Sequence, residues 1–156
     1  MTEADLTKLR RTIYLVIMSS VDFEECCHKL LKLQLRPGQE IELCAMVLES
    51  CMQDRTYLPY YGHIAQRLCV LNPAVYSELY SQLFRQHYDA AHKLEQIKLR
   101  NLACFFAQLL YSGALEWTAC LSCIELTEEL TTASSRIFVK ILMQEMCNNL
   151  GMKTFT

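Results

Sequence analysis

The sequence has 156 residues, a length that suits one domain able to bury about 68–70% of its unfolded surface. Hydrophobic residues make up 52% of it and charged residues 21%, a balance that excludes a disordered tail. The net charge of −2 provides no overall attraction to nucleic acid or to an anionic membrane. Four glycines and three prolines are too few for the many tight turns of a β-sandwich.

The nine cysteines are better explained by reduced thiols than by a disulfide framework. Their number is odd, and no charged-then-apolar signal segment opens the chain. Several lie within apolar helical patterns, where a thiol packs as a small hydrophobe: Cys44, Cys51, Cys104 and Cys147. No apolar run approaches the roughly 20 residues that span a bilayer. We therefore expect a soluble protein in a reducing compartment, nuclear or cytosolic.

The first half of the chain predicts four helices. The first begins after Thr2, whose hydroxyl can cap it, and its apolar residues recur at helical spacing: Leu6, Leu9, Ile13, Val16 and Ile17. A polar break at residues 19–22 precedes a second helix over about 23–33. A turn at Arg36-Pro37-Gly38 leads to a third helix over 39–53, and a fourth follows over about 60–71.

The second half of the chain predicts four more helices. Asn72-Pro73 starts the fifth helix, because proline suits the first helical position. We place a break near His92 to Glu95, and Ser112-Gly113 closes the sixth helix. A short helix over 117–124 and a polar run over 127–135 precede the last helix, 136–150, which Gly151 terminates.

The last helix is apolar almost all round. Three of its polar residues, Arg136, Lys140 and Gln144, recur every four residues and form one narrow stripe. A helix this apolar must be nearly enclosed. It is therefore predicted either to be the central helix of the domain or to dock on a partner as well.

The predicted fold class is all-α. About eight helices joined by short turns, without heptad repeats, favour stacked antiparallel helical hairpins of the HEAT type. We expect residues 1–156 to form a single domain.

Motifs for cofactor or metal chemistry are incomplete. The four glycines are isolated, so no phosphate-binding loop can be assembled from them. Cys120-x-x-Cys123 has half of a zinc-ligand spacing, and Cys26-Cys27-His28 is a local cluster, whereas structural zinc needs about four ligands. The sequence predicts no cofactor and no metal.

Candidate catalytic pairs have simpler explanations. With nine cysteines and four histidines, chance Cys–His pairings are easy, and His87 and His92 fall on an amphipathic helix. Glu24-Glu25 and Glu128-Glu129 are adjacent pairs, which point in different directions on a helix. We predict that the chain is not an enzyme.

A series of motifs in order resembles an MA-three domain. The opening ones are Arg11-Thr12-Ile13-Tyr14, Met18-Ser19-Ser20, Asp22-Phe23-Glu24-Glu25-Cys26 and His28-Lys29-Leu30-Leu31. Later ones are Gln86-His87-Tyr88-Asp89, Lys98-Leu99-Arg100-Asn101, Phe106-Ala107-Gln108-Leu109-Leu110-Tyr111 and the run from Ser134 to Ile141. Together they resemble the MA-three domain of the nucampholin-type spliceosome-associated scaffold factors. The heavy use of cysteine departs from the family pattern, as does an apparent extra residue between Trp117 and Cys123.

The resemblance implies a place in pre-mRNA splicing. It implies a fragment of a larger nuclear scaffold that lies against the large core factor of the U5 particle and near RNA in the spliceosome. The exon-junction DEAD-box helicase is expected on the family's middle domain, which this chain lacks.

Three functions compete. The leading hypothesis is a non-catalytic protein-interaction module that helps dock the scaffold in the spliceosome. The alternatives are a translation-type MA-three domain that binds a DEAD-box initiation helicase, and an RNA-binding helical module. If the C-terminal hairpins stack in order, one edge collects basic side chains that could contact an acidic protein patch or RNA backbone: Lys93, Lys98, Arg100, Arg136 and Lys140.

Overall fold

The computed structural model describes residues 2–121 and 133–150. This part of the chain contains eight α-helices and one 3-10 turn (Ala91–Lys93). The helices are α1 (Glu3–Ser19), α2 (Phe23–Leu31), α3 (Glu40–Gln53), α4 (Pro59–Leu71), α5 (Pro73–Asp89), α6 (Gln96–Tyr111), α7 (Trp117–Leu121) and α8 (Ala133–Leu150). The all-α prediction is confirmed.

Local chemistry sets the helix ends. The Thr2 hydroxyl accepts a hydrogen bond from the Asp5 N–H at 3.1 Å, and the Asp5 carboxylate accepts one from the Thr2 N–H, forming a capping box for α1. Asp22 caps α2 by accepting from the Glu25 N–H at 2.8 Å. Gly113 has a φ of 81°, a conformation that glycine adopts without a Cβ penalty and that turns the chain out of α6.

Several predicted boundaries shift by one to three residues. Helix α2 ends at Leu31, two residues early, and α8 begins at Ala133, three residues early. Helix α5 does begin at Pro73, although the Asn72 side chain makes no capping hydrogen bond. The predicted end of the short helix, residues 122–124, and the Gly151 stop lie outside the described residues.

The helices stack as hairpins. Each helix packs against the one two places along the chain: α1 on α3, α2 on α4, α3 on α5, α4 on α6, α5 on α7 and α6 on α8. This regular step is the packing pattern of stacked helical pairs. The predicted HEAT-like architecture is therefore confirmed.

The centre of the domain is α6, so the prediction of a central last helix is wrong. All ten residues from Asn101 to Leu110 are buried, and α6 packs against α3, α4 and α8. Helix α8 instead covers one side of α6. Its inner face buries Phe138, whose ring lies 5.8 Å from that of Phe84, whereas Ile137 beside it is 39% exposed.

Two buried polar side chains attach α6 to its neighbours. The Asn101 amide donates to the carbonyl oxygens of Cys51 and Asp54, at the end of α3. The Gln108 amide donates to His63 Nδ1 at 3.1 Å, and its oxygen accepts from the Tyr57 hydroxyl. These bonds satisfy polar atoms that burial would otherwise penalise.

Candidate protein-interaction surfaces

The five basic residues singled out from the sequence lie on elements that pack together. The 3-10 turn carries Lys93, α6 carries Lys98 and Arg100, and α8 carries Arg136 and Lys140. Helix α8 contacts both α6 and the 3-10 turn. We call these five residues the C-terminal basic edge; all are exposed except Lys98, which is half-buried.

One member of this edge is engaged in an ion pair. Arg100 Nη2 lies 3.8 Å from Glu145 Oε1 of α8. A pair this exposed contributes little to stability, at most about 1 kcal/mol, but it lowers the net positive charge of the edge. In the described part of the chain Lys93, Lys98 and Lys140 form no ion pair.

A second surface, on α1, was missed by the sequence analysis. Tyr14, Leu15 and Met18 are exposed on α1, outside the face that buries Ile13 and Ile17, and Leu15 is 57% exposed. Val21, in the following loop, is 89% exposed. We call these four residues the α1 apolar stripe. Their helical spacing was visible in the sequence, but the inward-facing residues of α1 were sufficient to explain the helix.

The loop that presents Val21 is held by a carboxylate. Glu25 Oε2 accepts a 2.7 Å hydrogen bond from the Val21 N–H, and Glu25 Oε1 lies 2.9 Å from Lys29 Nζ. The Val21 hydrogen bond, and then the Lys29 contact, lower the pKa of Glu25 below its ordinary value. Glu25 is therefore ionised at neutral pH and fixes the end of the stripe.

Burial makes several of the described thiols poor nucleophiles. Seven of them are buried and Cys147 is half-buried. Burial raises the pKa of Cys69 and of Cys104 to about 11 and that of Cys27 to about 12. These thiols stay protonated at neutral pH, whereas nucleophilic cysteine chemistry requires the thiolate.

The candidate histidines and metal ligands do not converge. His87 Nδ1 lies 2.9 Å from the Leu83 carbonyl oxygen of its own helix, and His92 is exposed. Cys26 and Cys27 face the core while His28 faces solvent. Cys120 is buried, and Cys123 lies outside the described residues. Residues 2–121 and 133–150 contain no group of three or more His, Cys, Asp or Glu side chains placed to hold a metal ion.

Across the described ranges, none of the helices combines the length and the apolar character needed to cross a membrane.

Comparison with known proteins agrees with this stack of helices. The family model described as the MA3 domain matches residues 9–116. Three similar proteins are named pre-mRNA-splicing factors. The CWC22 homolog of Drosophila melanogaster is 51% identical over 151 residues, which are 97% of this chain and 11% of that protein. The cwf22 protein of Schizosaccharomyces pombe is 52% identical over 153 residues, 98% of this chain and 17% of that protein.

The third relative is the CWC22 homolog of Homo sapiens, 52% identical over 151 residues, 97% of this chain and 16% of that protein. The chain therefore spans less than a fifth of the length of these relatives. The similarity confirms the resemblance that the order of motifs predicted. The chain belongs to the MA3 domain family.

Proposed function

We propose that this chain is the MA3 domain of a pre-mRNA splicing scaffold and that it docks the scaffold in the spliceosome without catalysing a reaction. The chain shares about half of its aligned residues with named splicing factors from a fly, a fission yeast and a human, and this supports the splicing assignment. The protonated, buried thiols and the scattered histidines support a non-catalytic role.

The observation that carries the docking role is the α1 apolar stripe. Four large apolar side chains lie within eight positions and are each more than two-fifths exposed. Apolar groups grouped in this way on a folded surface mark a protein contact, because their exposure to water costs free energy that a partner can recover. None of the four residues lines a described pocket, so the stripe suits a protein partner better than a small molecule.

The expected partners follow from the family assignment. We propose that the domain binds spliceosomal proteins in the nucleus, including the large core factor of the U5 particle. The exon-junction DEAD-box helicase is assigned to another part of the scaffold and not to this chain.

Affinity purification from nuclear extract tests this function. The immobilised chain is expected to capture spliceosomal proteins in samples treated with ribonuclease, identified by mass spectrometry. Capture of a DEAD-box initiation helicase in their place would favour the translation-type alternative. Loss of all capture after ribonuclease treatment would favour the RNA-binding alternative.

A matched pair of variants assigns the contact to the stripe. Leu15→Glu with Met18→Glu places charges in the stripe, and Val70→Glu with Leu71→Glu does the same at two comparably exposed apolar residues that end α4. We expect the first variant to lose the spliceosomal proteins and the second to keep them. Equal capture by both variants would contradict docking through the stripe.

A further inference from the structure

The C-terminal basic edge carries apolar side chains between its charges. Ile97, in the first turn of α6, is 56% exposed, and Ile137, in the first turns of α8, is 39% exposed. Ile97 adjoins Lys98 in the sequence. Ile137 precedes Lys140 by three residues on α8, and residues three apart on a helix are neighbours. The edge is therefore amphipathic.

The ion pair between α6 and α8 joins the two outer faces. Arg100 follows Ile97 by one helical turn, and its guanidinium reaches Glu145 of α8 at a distance of 3.8 Å. Both partners of this pair keep access to solvent, so the pair lies at the surface between the helices. The exposed faces of α6 and α8 therefore adjoin each other and form one continuous surface.

The charges of this surface are mixed. Lys93, Lys98 and Lys140 form no ion pair in the described part of the chain, while Glu145 offsets Arg100. Glu95 is exposed directly before α6. A peptide can place carboxylates at the separated lysines and neutral residues opposite Glu95 and Glu145, whereas a phosphate backbone carries a negative charge at every residue.

The described parts of α6 and α8 expose no Phe, Tyr or Trp side chain on which a base could stack. On the described α6 and α8, Phe105, Phe106 and Phe138 are buried and Tyr111 is half-buried. Single-stranded RNA is usually held by exposed aromatic rings together with a continuous basic groove. Exposed isoleucines next to lysines instead match a protein segment that has aliphatic and acidic side chains.

We infer that the C-terminal basic edge binds an acidic, amphipathic protein segment, with Ile97 and Ile137 contacting its aliphatic side chains and Lys93, Lys98 and Lys140 pairing with its carboxylates. The edge and the α1 apolar stripe consist of different residues. The inference therefore goes beyond the proposed function, and the two can fail separately.

Selection from a displayed library of short random peptides tests the inference. The 156-residue chain is expected to enrich peptides that combine excess Asp and Glu with aliphatic residues three or four apart. Ile97→Ala with Ile137→Ala, and separately Lys98→Glu with Lys140→Glu, are expected to weaken binding of the selected peptides about tenfold or more. All four side chains reach solvent, and circular dichroism checks that each variant folds.

Two controls make the outcome decisive. The Lys98→Glu, Lys140→Glu variant, used as bait, is expected to reverse the selection and enrich basic peptides. The Leu15→Glu, Met18→Glu variant is expected to bind the acidic peptides as the parent does. Three results would overturn the inference: enriched peptides without an acidic excess, binding unaffected by the isoleucine changes, or no enriched peptide while oligouridine RNA binds at physiological salt.

Discussion

The side-chain amide of Asn101 donates a 2.9 Å hydrogen bond to the backbone carbonyl of Asp54, the residue that follows α3. The same amide donates to the Cys51 carbonyl at 3.1 Å. Asn101 is almost fully buried, so it takes the place of water at the end of α3. A side chain of the central helix thus completes the hydrogen bonding of a helix about 50 positions earlier in the chain.

Replacing Asn101 by Ala is expected to lower the free energy of unfolding by about 1–3 kcal/mol, because the buried Cys51 carbonyl and the half-buried Asp54 carbonyl each lose the hydrogen bond from the amide. Urea denaturation followed by circular dichroism measures the change. Asn149→Ala is the control, since Asn149 also donates to a carbonyl, that of Glu145, but at an exposed site. Equal losses for the two variants would show that burial of the Asn101 bond has no special effect.

Phe138→Ala is expected to lower the free energy of unfolding by about 3–5 kcal/mol, as truncations of large buried aromatic residues do. The Phe138 ring is fully buried and lies 5.8 Å from the ring of Phe84 and 5.9 Å from that of Tyr88. Ile137→Ala, on the neighbouring half-exposed position, should cost less than about 1 kcal/mol. A Phe138→Ala loss below about 1 kcal/mol, together with lost partner binding, would instead make Phe138 an interface anchor.

Gly62→Ala is expected to destabilise the domain by about 1–3 kcal/mol, the usual cost of overpacking. A Cβ atom at position 62 would collide with the Gln108 amide and the Tyr57 hydroxyl. Gln108 has little freedom to move, because it is also hydrogen-bonded to His63. Combining Gly62→Ala with Gln108→Ala removes the collision. A double variant that loses as much as the two single changes added together would contradict this explanation.

Buried thiols should react more slowly than exposed ones. With a pKa of about 11, Cys69 and Cys104 are thiolate in about one molecule per thousand at pH 8. We expect iodoacetamide to modify the half-buried Cys147 well before these two, with each site followed by mass spectrometry. In urea all three should react at similar rates. Rapid modification of Cys69 in the native protein would contradict the burial that raises its pKa.

The sequence predicted most of the fold because its turn signals act locally. Thr2, Asp22 and Gly113 end or begin helices through hydrogen bonds and φ values that involve only the adjacent turn. Apolar residues such as Ile13 and Ile17 are buried where the helical spacing placed them. The neighbouring arrangement of α6, α8 and the 3-10 turn also followed, since stacking in order needs only short connections.

The choice of the central helix could not be made from periodicity. The central helix α6 contains the polar residues Asn101 and Gln108, and both are buried and hydrogen-bonded to distant backbone or side-chain atoms. The apolar run at the start of α8 suggested a central helix, yet one of its faces remains accessible, as the exposed Ile137 shows. The α1 apolar stripe was not predicted for a related reason. An apolar residue on a helix is buried only where a neighbouring element covers it, and no local sequence pattern shows which elements do so.

Docking through α1 can be tested directly in spliceosomes assembled on a model pre-mRNA in nuclear extract. The measurement is how much of the chain is incorporated into these particles. The tagged chain, the Leu15→Glu, Met18→Glu variant and the Val70→Glu, Leu71→Glu control are compared by the amount that purifies with the assembled particles. We expect the parent and the control to enter equally and the stripe variant to be reduced about tenfold or more. Equal entry of the folded stripe variant, or failure of the parent to enter, would contradict docking through α1.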